Sequence, residues 1–245
     1  MILLLVAALA AQAAGRPPTS PAEQLEACVA QAQRDPAGAE QVARTLGRAG
    51  EACRGVALAG QDDYAGAATA FTAAARNAEL AKEVRAADYW AQAGNAWLAA
   101  GDAAKARAAL DAALAAGTLT ALNRGEAYLD RARALVATGD LKAARVDLDL
   151  AVKDAADDPL AWLLSATLAR RMGDLPRAKL DIAQALRRSA DDASVQLEAG
   201  NIAAAGGEAE RARAAWTQAA RLAPDAPAGR SAANALTQFA GDPKQ

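Results

Sequence analysis

Residues 159–192 read Pro159-Leu-Ala-Trp162-Leu-Leu-Ser-Ala166-Thr-Leu-Ala169-Arg-Arg-Met-Gly173-Asp174, then Leu-Pro-Arg-Ala178-Lys-Leu-Asp-Ile182-Ala-Gln-Ala185-Leu-Arg-Arg-Ser-Ala-Asp-Asp192. The centre is Gly173-Asp174. Glycine ends a helix in the left-handed conformation that it alone adopts cheaply. An acid directly after it caps the positive start of the next helix. Apolar residues at offsets of 3, 4 and 7 on both sides put one face of each helix inward. The segment therefore predicts two antiparallel helices around a tight corner.

The same corner recurs at Gly101-Asp102, Gly139-Asp140 and Gly207-Glu208, spaced 38, 34 and 34 residues apart. Fixed offsets agree with it. Seven before the glycine stand Gly94, Ala132, Ala166 and Gly200, all small. Eleven before it stand Trp90, Tyr128, Trp162 and Gln196, and four before it Trp97, Leu135, Ala169 and Ala203. Five after it come Ala106, Ala144, Ala178 and Ala212; twelve after it Ala113, Ala151, Ala185 and Ala219. Nine after it come Leu110, Leu148, Ile182 and Trp216. Small residues let two helix axes approach to about 8–10 Å, and the large residue fills the space beside them. One helix pair cannot bury its apolar face alone, so the pairs must stack.

This pattern resembles the tetratricopeptide repeat, a 34-residue helix–turn–helix unit. The matching strings are Trp90-x3-Gly94-x2-Trp97 with Ala106-x3-Leu110-x2-Ala113, and Ala212-x3-Trp216-x2-Ala219-x4-Pro224. The resemblance implies an all-α solenoid, a right-handed superhelix of antiparallel helix pairs. About five repeats fit, over 50–80, 87–120, 125–158, 159–192 and 193–226. The first is irregular: Tyr64-x2-Ala67-x3-Phe71-x2-Ala74 matches a second helix, but its turn, Gly60-Gln-Asp-Asp, carries an extra residue. Residues 23–49 read as an N-terminal capping helix pair, 226–239 as a C-terminal capping helix, and 241–245 as a fraying tail.

Composition agrees. The chain holds 77 alanines among 245 residues and few β-branched ones, which favours helix over strand. Net charge is −2, with 27 basic and 29 acidic residues dispersed along the chain, so the electrostatic footprint of a nucleic-acid binder is missing. There is no histidine, which excludes imidazole triads and His-ligated zinc. No phosphate-binding glycine loop and no C-x-x-C occur, so no catalytic residue, metal ligand or cofactor is expected. The acid pairs Asp62-Asp63, Asp157-Asp158 and Asp191-Asp192 fall at helix corners and read as caps.

Residues 1–14 read as a signal peptide. Ile2–Ala11 are apolar without interruption, too short for a span, and Ala11-Gln12-Ala13 supplies an A-x-A cleavage pattern. Cleavage after Ala13 or Ala14 would leave Gly15–Ala22 as a Pro-rich tether and a periplasmic or secreted protein without a membrane span. Export would place Cys28 and Cys53 in an oxidising compartment. Two buried thiols also fit their spacing. Counted from Gly60, however, Cys53 takes the small offset seven before the turn, and Cys28 lies seven to eight before Asp35-Pro36. Similar heights on neighbouring first helices predict a bridge.

The first helices of such arrays commonly line a concave side that binds extended peptides. Their residues off the packing offsets are Asp88, Gln92, Asn95, Glu126, Asp130, Arg133, Thr167, Arg170, Arg171, Glu198 and Asn201. Asn95 and Asn201 hold equivalent places and could pair with a peptide backbone. The family's carboxylate clamp needs Lys and Asn on successive first helices; Ala91 and Asp130 stand in the matching places, so that clamp is missing. The expected function is a non-catalytic protein-interaction module or scaffold of the cell envelope, with a protein or peptide partner. The alternatives are a self-associating structural repeat protein, or a small enzyme with an unrecognised carboxylate site.

Overall fold

The structure is a computed structural model that describes residues 20–240. The expected signal peptide, most of the tether and the tail at 241–245 lie outside the described residues. Within them the fold is all-α, without a strand. Three helices open it: α1 (Pro21–Ala32), α2 (Pro36–Leu46) and, after a 3-10 turn at Gly47–Gly50, α3 (Glu51–Ala59). Then follow α4 (Tyr64–Leu80), α5 (Ala86–Ala99), α6 (Ala103–Ala115), α7 (Ala121–Ala137) and α8 (Leu141–Asp154). The array ends with α9 (Pro159–Arg171), α10 (Leu175–Arg188), α11 (Ala193–Ala205), α12 (Ala209–Leu222) and α13 (Pro227–Ala240).

Each pair packs within itself, α5 on α6, α7 on α8, α9 on α10 and α11 on α12, and each second helix packs on the next first helix. First helices also meet directly: α1 on α3, α5 on α7, α9 on α11.

The corners are built as the sequence predicts. Gly101, Gly139, Gly173 and Gly207 have φ of 81, 87, 80 and 73°. The following acid donates its N–H back to the carbonyl at the fourth offset before the glycine: Asp102 to Trp97, Asp140 to Leu135, Asp174 to Ala169 and Glu208 to Ala203, each at 2.9 Å. That is the six-to-one bond that closes a helix before a left-handed residue. The side chains of Asp102, Asp140 and Asp174 then accept the N–H of Lys105, Ala143 and Arg177. Glu208, one methylene longer, makes no such cap. Its carboxylate instead binds Lys179 and Arg211, which hold it below the usual glutamate range.

The repeated offsets are where helices touch. Ala106, Ala144, Ala178 and Ala212 are all fully buried, as are Ala113, Ala151, Ala185 and Ala219. A Cβ on Gly94 would collide with Leu110, and one on Gly200 with the Trp216 ring. Trp216 is buried and meets Phe239 of α13 edge-on, with centroids 5.2 Å apart. The other tryptophans are only half-buried. Trp90 donates to Glu79, Trp162 donates to the Ala156 carbonyl, and Trp97 lies under the Lys105 ammonium.

Two boundaries differ from the expectation. Residues 21 and 22, expected in the tether, are helical: Pro21 is the first residue of α1, where its missing N–H costs nothing. Ser20 and Glu23 form a capping box around that start. The third repeat begins at Ala121 rather than 125, because Thr120 caps α7 by accepting the N–H of Asn123.

The larger correction concerns the first turn. Gly60 has an ordinary helical φ of −67°, and Asp62 takes the left-handed place with φ 61°. Asp tolerates that region better than most residues, and the Tyr64 hydroxyl donates to its Oδ1 at 2.7 Å. The turn carries no extra residue once Asp62 is counted as the corner. Gly55 then falls seven before it and meets Phe71, nine after it. Cys53 is therefore not at the small offset. It points instead to α1 and bonds Cys28, with Cα atoms 5.9 Å apart. Cys28, Cys53, Ala39, Ala43 and Ala57 form the buried centre of the N-terminal unit.

Candidate functional site

The bridge of α1 to α3 pairs those two helices, and α5 pairs with α7. Between α3 and α5 a cleft of about 700 Å³ opens. Its wall on one side is Val56 and Ala59 of α3 with Tyr64 and Phe71 of α4. Across from them stand Asp88, Tyr89, Gln92 and Asn95 of α5, then Asn123, Glu126 and Asp130 of α7.

These residues face one way for a helical reason. Asp88, Gln92 and Asn95 are spaced by four and three on α5, and Asn123, Glu126 and Asp130 by three and four on α7. Two rungs tie the helices. Asn123 Nδ2 donates to Asp88 Oδ1 at 3.0 Å, and Asn95 Nδ2 donates to Asp130 Oδ2 at 2.8 Å. Arg133 pairs with the other oxygen of Asp130 at 2.8 Å. Gln92 and Glu126 are exposed and make no hydrogen bond or ion pair among the described residues.

The expected site residues divide. Asp88, Gln92, Asn95, Glu126 and Asp130 line this cleft. Arg133, Thr167 and Arg171 line a separate hollow of about 160 Å³ with Val136, Leu164 and Leu168. Thr167 spends its hydroxyl on the Leu163 carbonyl. Arg170, Glu198 and Asn201 form an internal network. Arg170 grips Glu198 through Nε at 2.6 Å and Nη2 at 3.1 Å, and Glu198 is buried. Asn201 donates to Glu198 and accepts from Trp216 Nε1. Asn95 and Asn201 are thus equivalent in sequence and different in setting. Position 216 carries a tryptophan that takes the amide oxygen of Asn201, where Leu110 offers Asn95 nothing.

Sequence reasoning missed Tyr89, Asn123, Arg85 and the contribution of α3. Asn123 precedes the expected repeat start, and the corner after α3 is two residues later than Gly60, at Asp62. Tyr89 adjoins a packing tryptophan and carried no pattern of its own.

A second polar system runs through the middle repeats. Asp147 is buried and receives two hydrogen bonds of 2.7 Å from Arg131, which also reaches Asp111 at 2.8 Å. Arg131 is held strongly protonated by the Asp147 carboxylate. One repeat on, buried Asp181 accepts from the Ser165 hydroxyl and from Arg177 Nε, and Arg145 donates to Ser165. Every side chain here has a partner on another helix or turn, and the Arg145 Nε alone is buried without one among the described residues; the network ties helices together.

No family model and no curated protein matches the chain. Solved structures do. The APC/C hetero-tetramer Cut9-Hcn1 matches with a TM-score of 0.70 at 13% identity over 91% of this chain. This chain spans 43% of that one's length. PilW, described as a widely conserved type IV pilus biogenesis factor, matches at TM-score 0.70 and 17% identity, over 86% of this chain and 97% of its own. YrrB, described as a tetratricopeptide-repeat protein with an unusual peptide-binding site, matches at TM-score 0.58 and 20% identity, over 87% and 97%. The chain has the tetratricopeptide-repeat fold.

Proposed function

We propose that the protein is a non-catalytic interaction scaffold of the cell envelope that holds an extended protein segment against its first helices. The observation that carries this reading is the cleft between α3 and α5. It is lined by the rings of Tyr64, Phe71 and Tyr89 and offers the side chains of Gln92 and Glu126, unpaired among the described residues. Its polar groups come from adjacent repeats, a spacing that suits a peptide backbone rather than a compact substrate. The fold shared with the peptide-binding YrrB supports it. The envelope location rests on the apolar run Ile2–Ala11 with its Ala-x-Ala end, and on the Cys28–Cys53 bridge. No helix among the described residues is long and apolar enough to cross a membrane.

A photoreactive side chain placed at Gln92 in the native host tests the scaffold reading. The expected result is a reproducible protein adduct that the same side chain at exposed Glu210 does not give. Repeated failure to capture a protein at Gln92 overturns it. N-terminal sequencing checks export: a mature start after Ala13 or Ala14 is expected, and an intact Met1 in the cytoplasmic fraction removes the envelope from the reading. A second reading, self-association, has one observation behind it. Val146 and Leu180 hold equivalent places on α8 and α10, and are 59% and 68% exposed. Light scattering that finds a dimer abolished by Leu180→Glu would favour it.

A further inference from the structure

The cleft proposed as the interaction groove is negatively charged. Three carboxylates line it, those of Asp88, Glu126 and Asp130, against the single guanidinium of Arg85. Their partners leave most of that charge standing. Among the described residues Asp88 is met only by the neutral amide of Asn123, and Glu126 by no partner. Asp130 alone has a cation, Arg133. Arg85 is drawn away from them. It donates to the Tyr89 hydroxyl and pairs with Glu83 at 3.5 Å, and Glu26 acts on it from α1.

The amide rungs matter here. By bridging α5 and α7 they hold Asp88 and Asp130 in place without neutralising them, so their ordering precedes any ligand. Asp130 also stands where the family's carboxylate clamp would have a basic or amide group. The polarity of the groove is the reverse of one that receives a terminal carboxylate. Around the acids lie the rings of Tyr64, Phe71 and Tyr89 and the small apolar Val56, Ala59 and Ala91. An aromatic face attracts a cationic head, and an apolar strip receives the methylene stem of Lys or Arg. Among the described residues no three His, Cys, Asp or Glu side chains converge closely enough to hold a metal ion.

We infer that the occupant is an extended peptide segment bearing Lys or Arg, with a cationic head seated by Asp88 and Glu126. The inference rests on the interaction reading above and adds the chemistry of the partner. An acidic segment would meet uncompensated like charge in the same place.

The probe is a short extended peptide of alternating Lys and Ser, compared with its Glu–Ser and Gln–Ser counterparts. Each is titrated calorimetrically against the intact disulfide-bonded protein at about 0.15 M salt. Only the Lys peptide is expected to bind, and more weakly as salt rises. Glu126→Gln alone, and with Asp88→Asn, should weaken it by about tenfold or more, one to two close charge pairs. Glu210→Gln, an exposed acid on α12, should leave it unchanged and so excludes general attraction to a polycation. Equal binding of the Lys peptide by parent and double variant overturns the inference. Equal binding of Lys and Gln peptides also overturns it while leaving the groove reading intact. Silence from all three peptides, together with an empty crosslink at Gln92, removes both.

Discussion

Gly200 faces the Trp216 ring, and that ring is braced from behind by Phe239. A single methyl group there has nowhere to go. Gly200→Ala should cost about 1–3 kcal/mol through forced displacement of the indole. Thermal melts of the variant should show it, and a silent substitution would mean that α11 and α12 lie further apart than described. Asp62 offers the opposite case. It occupies a left-handed corner where the other repeats use glycine. Asp62→Gly should relieve about 1 kcal/mol of backbone cost and lose one exposed hydrogen bond from Tyr64. A net effect from zero to slightly stabilising is expected. Gly139→Ala, at φ 87°, should destabilise by about 1 kcal/mol, so of the two variants only this one should lower the melting temperature.

Helices at the ends of an array have one neighbour instead of two. α1 compensates with the Cys28–Cys53 bridge, which closes 25 residues and in a chain-entropy account contributes about 3 kcal/mol. Reduction should therefore release α1 and α2 first. Hydrogen exchange before and after reduction checks this: protection should fall in 21–46 and persist in α7 to α10. Uniform loss along the chain would show that the array unfolds as one unit. In the middle repeats the tie between helices is ionic. Asp147→Ala strips Arg131 of its bidentate partner in a half-buried place, leaves it Asp111, and should cost about 1–3 kcal/mol. Pairing it with Arg131→Met should recover most of that loss, because the apolar pair needs no desolvated charge. A double variant as unstable as the single one would show that the pair sustains the helix contact by more than mutual compensation.

The protein as a whole has no histidine, and both cysteines are bridged. No side chain with an ordinary pKa titrates between about pH 5 and 8, so melting temperature should be flat there. Below that range the sign is set by depressed carboxyls. Glu208 is held down by Lys179 and Arg211, Glu40 by Arg44, Asp102 by Lys105 and Asp154 by Arg124. A lowered folded pKa gives stability that is present above the unfolded value, near 4 to 4.5, and lost as pH falls through the folded one. Melts should hold from about pH 8 to 5 and fall progressively below about 4.5. All four groups are near the surface, so the loss should be gradual and smaller in high salt. A sharp transition near pH 6 would contradict this account.

Local spacing carried most of the architecture because helix corners and helix contacts are short-range. A glycine that must adopt positive φ, an acid that must cap, and alanines that must admit a neighbour all leave marks within one 34-residue unit. The first repeat escaped because an aspartate took the glycine's place, and only the backbone at Asp62 showed which residue turned the corner. The site was legible to the same depth. Spacing put Asp88, Gln92, Asn95, Glu126 and Asp130 on outward faces, but the same rule chose Glu198 and Asn201, which the fold uses internally. Which partner a polar side chain at a given offset takes depends on what the neighbouring helices bring opposite it: Leu110 leaves Asn95 to Asp130, and Trp216 takes Asn201. That pairing, the gap between α3 and α5, and the ionic tie of Arg131 to Asp147 join residues from different helices, and no spacing along one helix contains them.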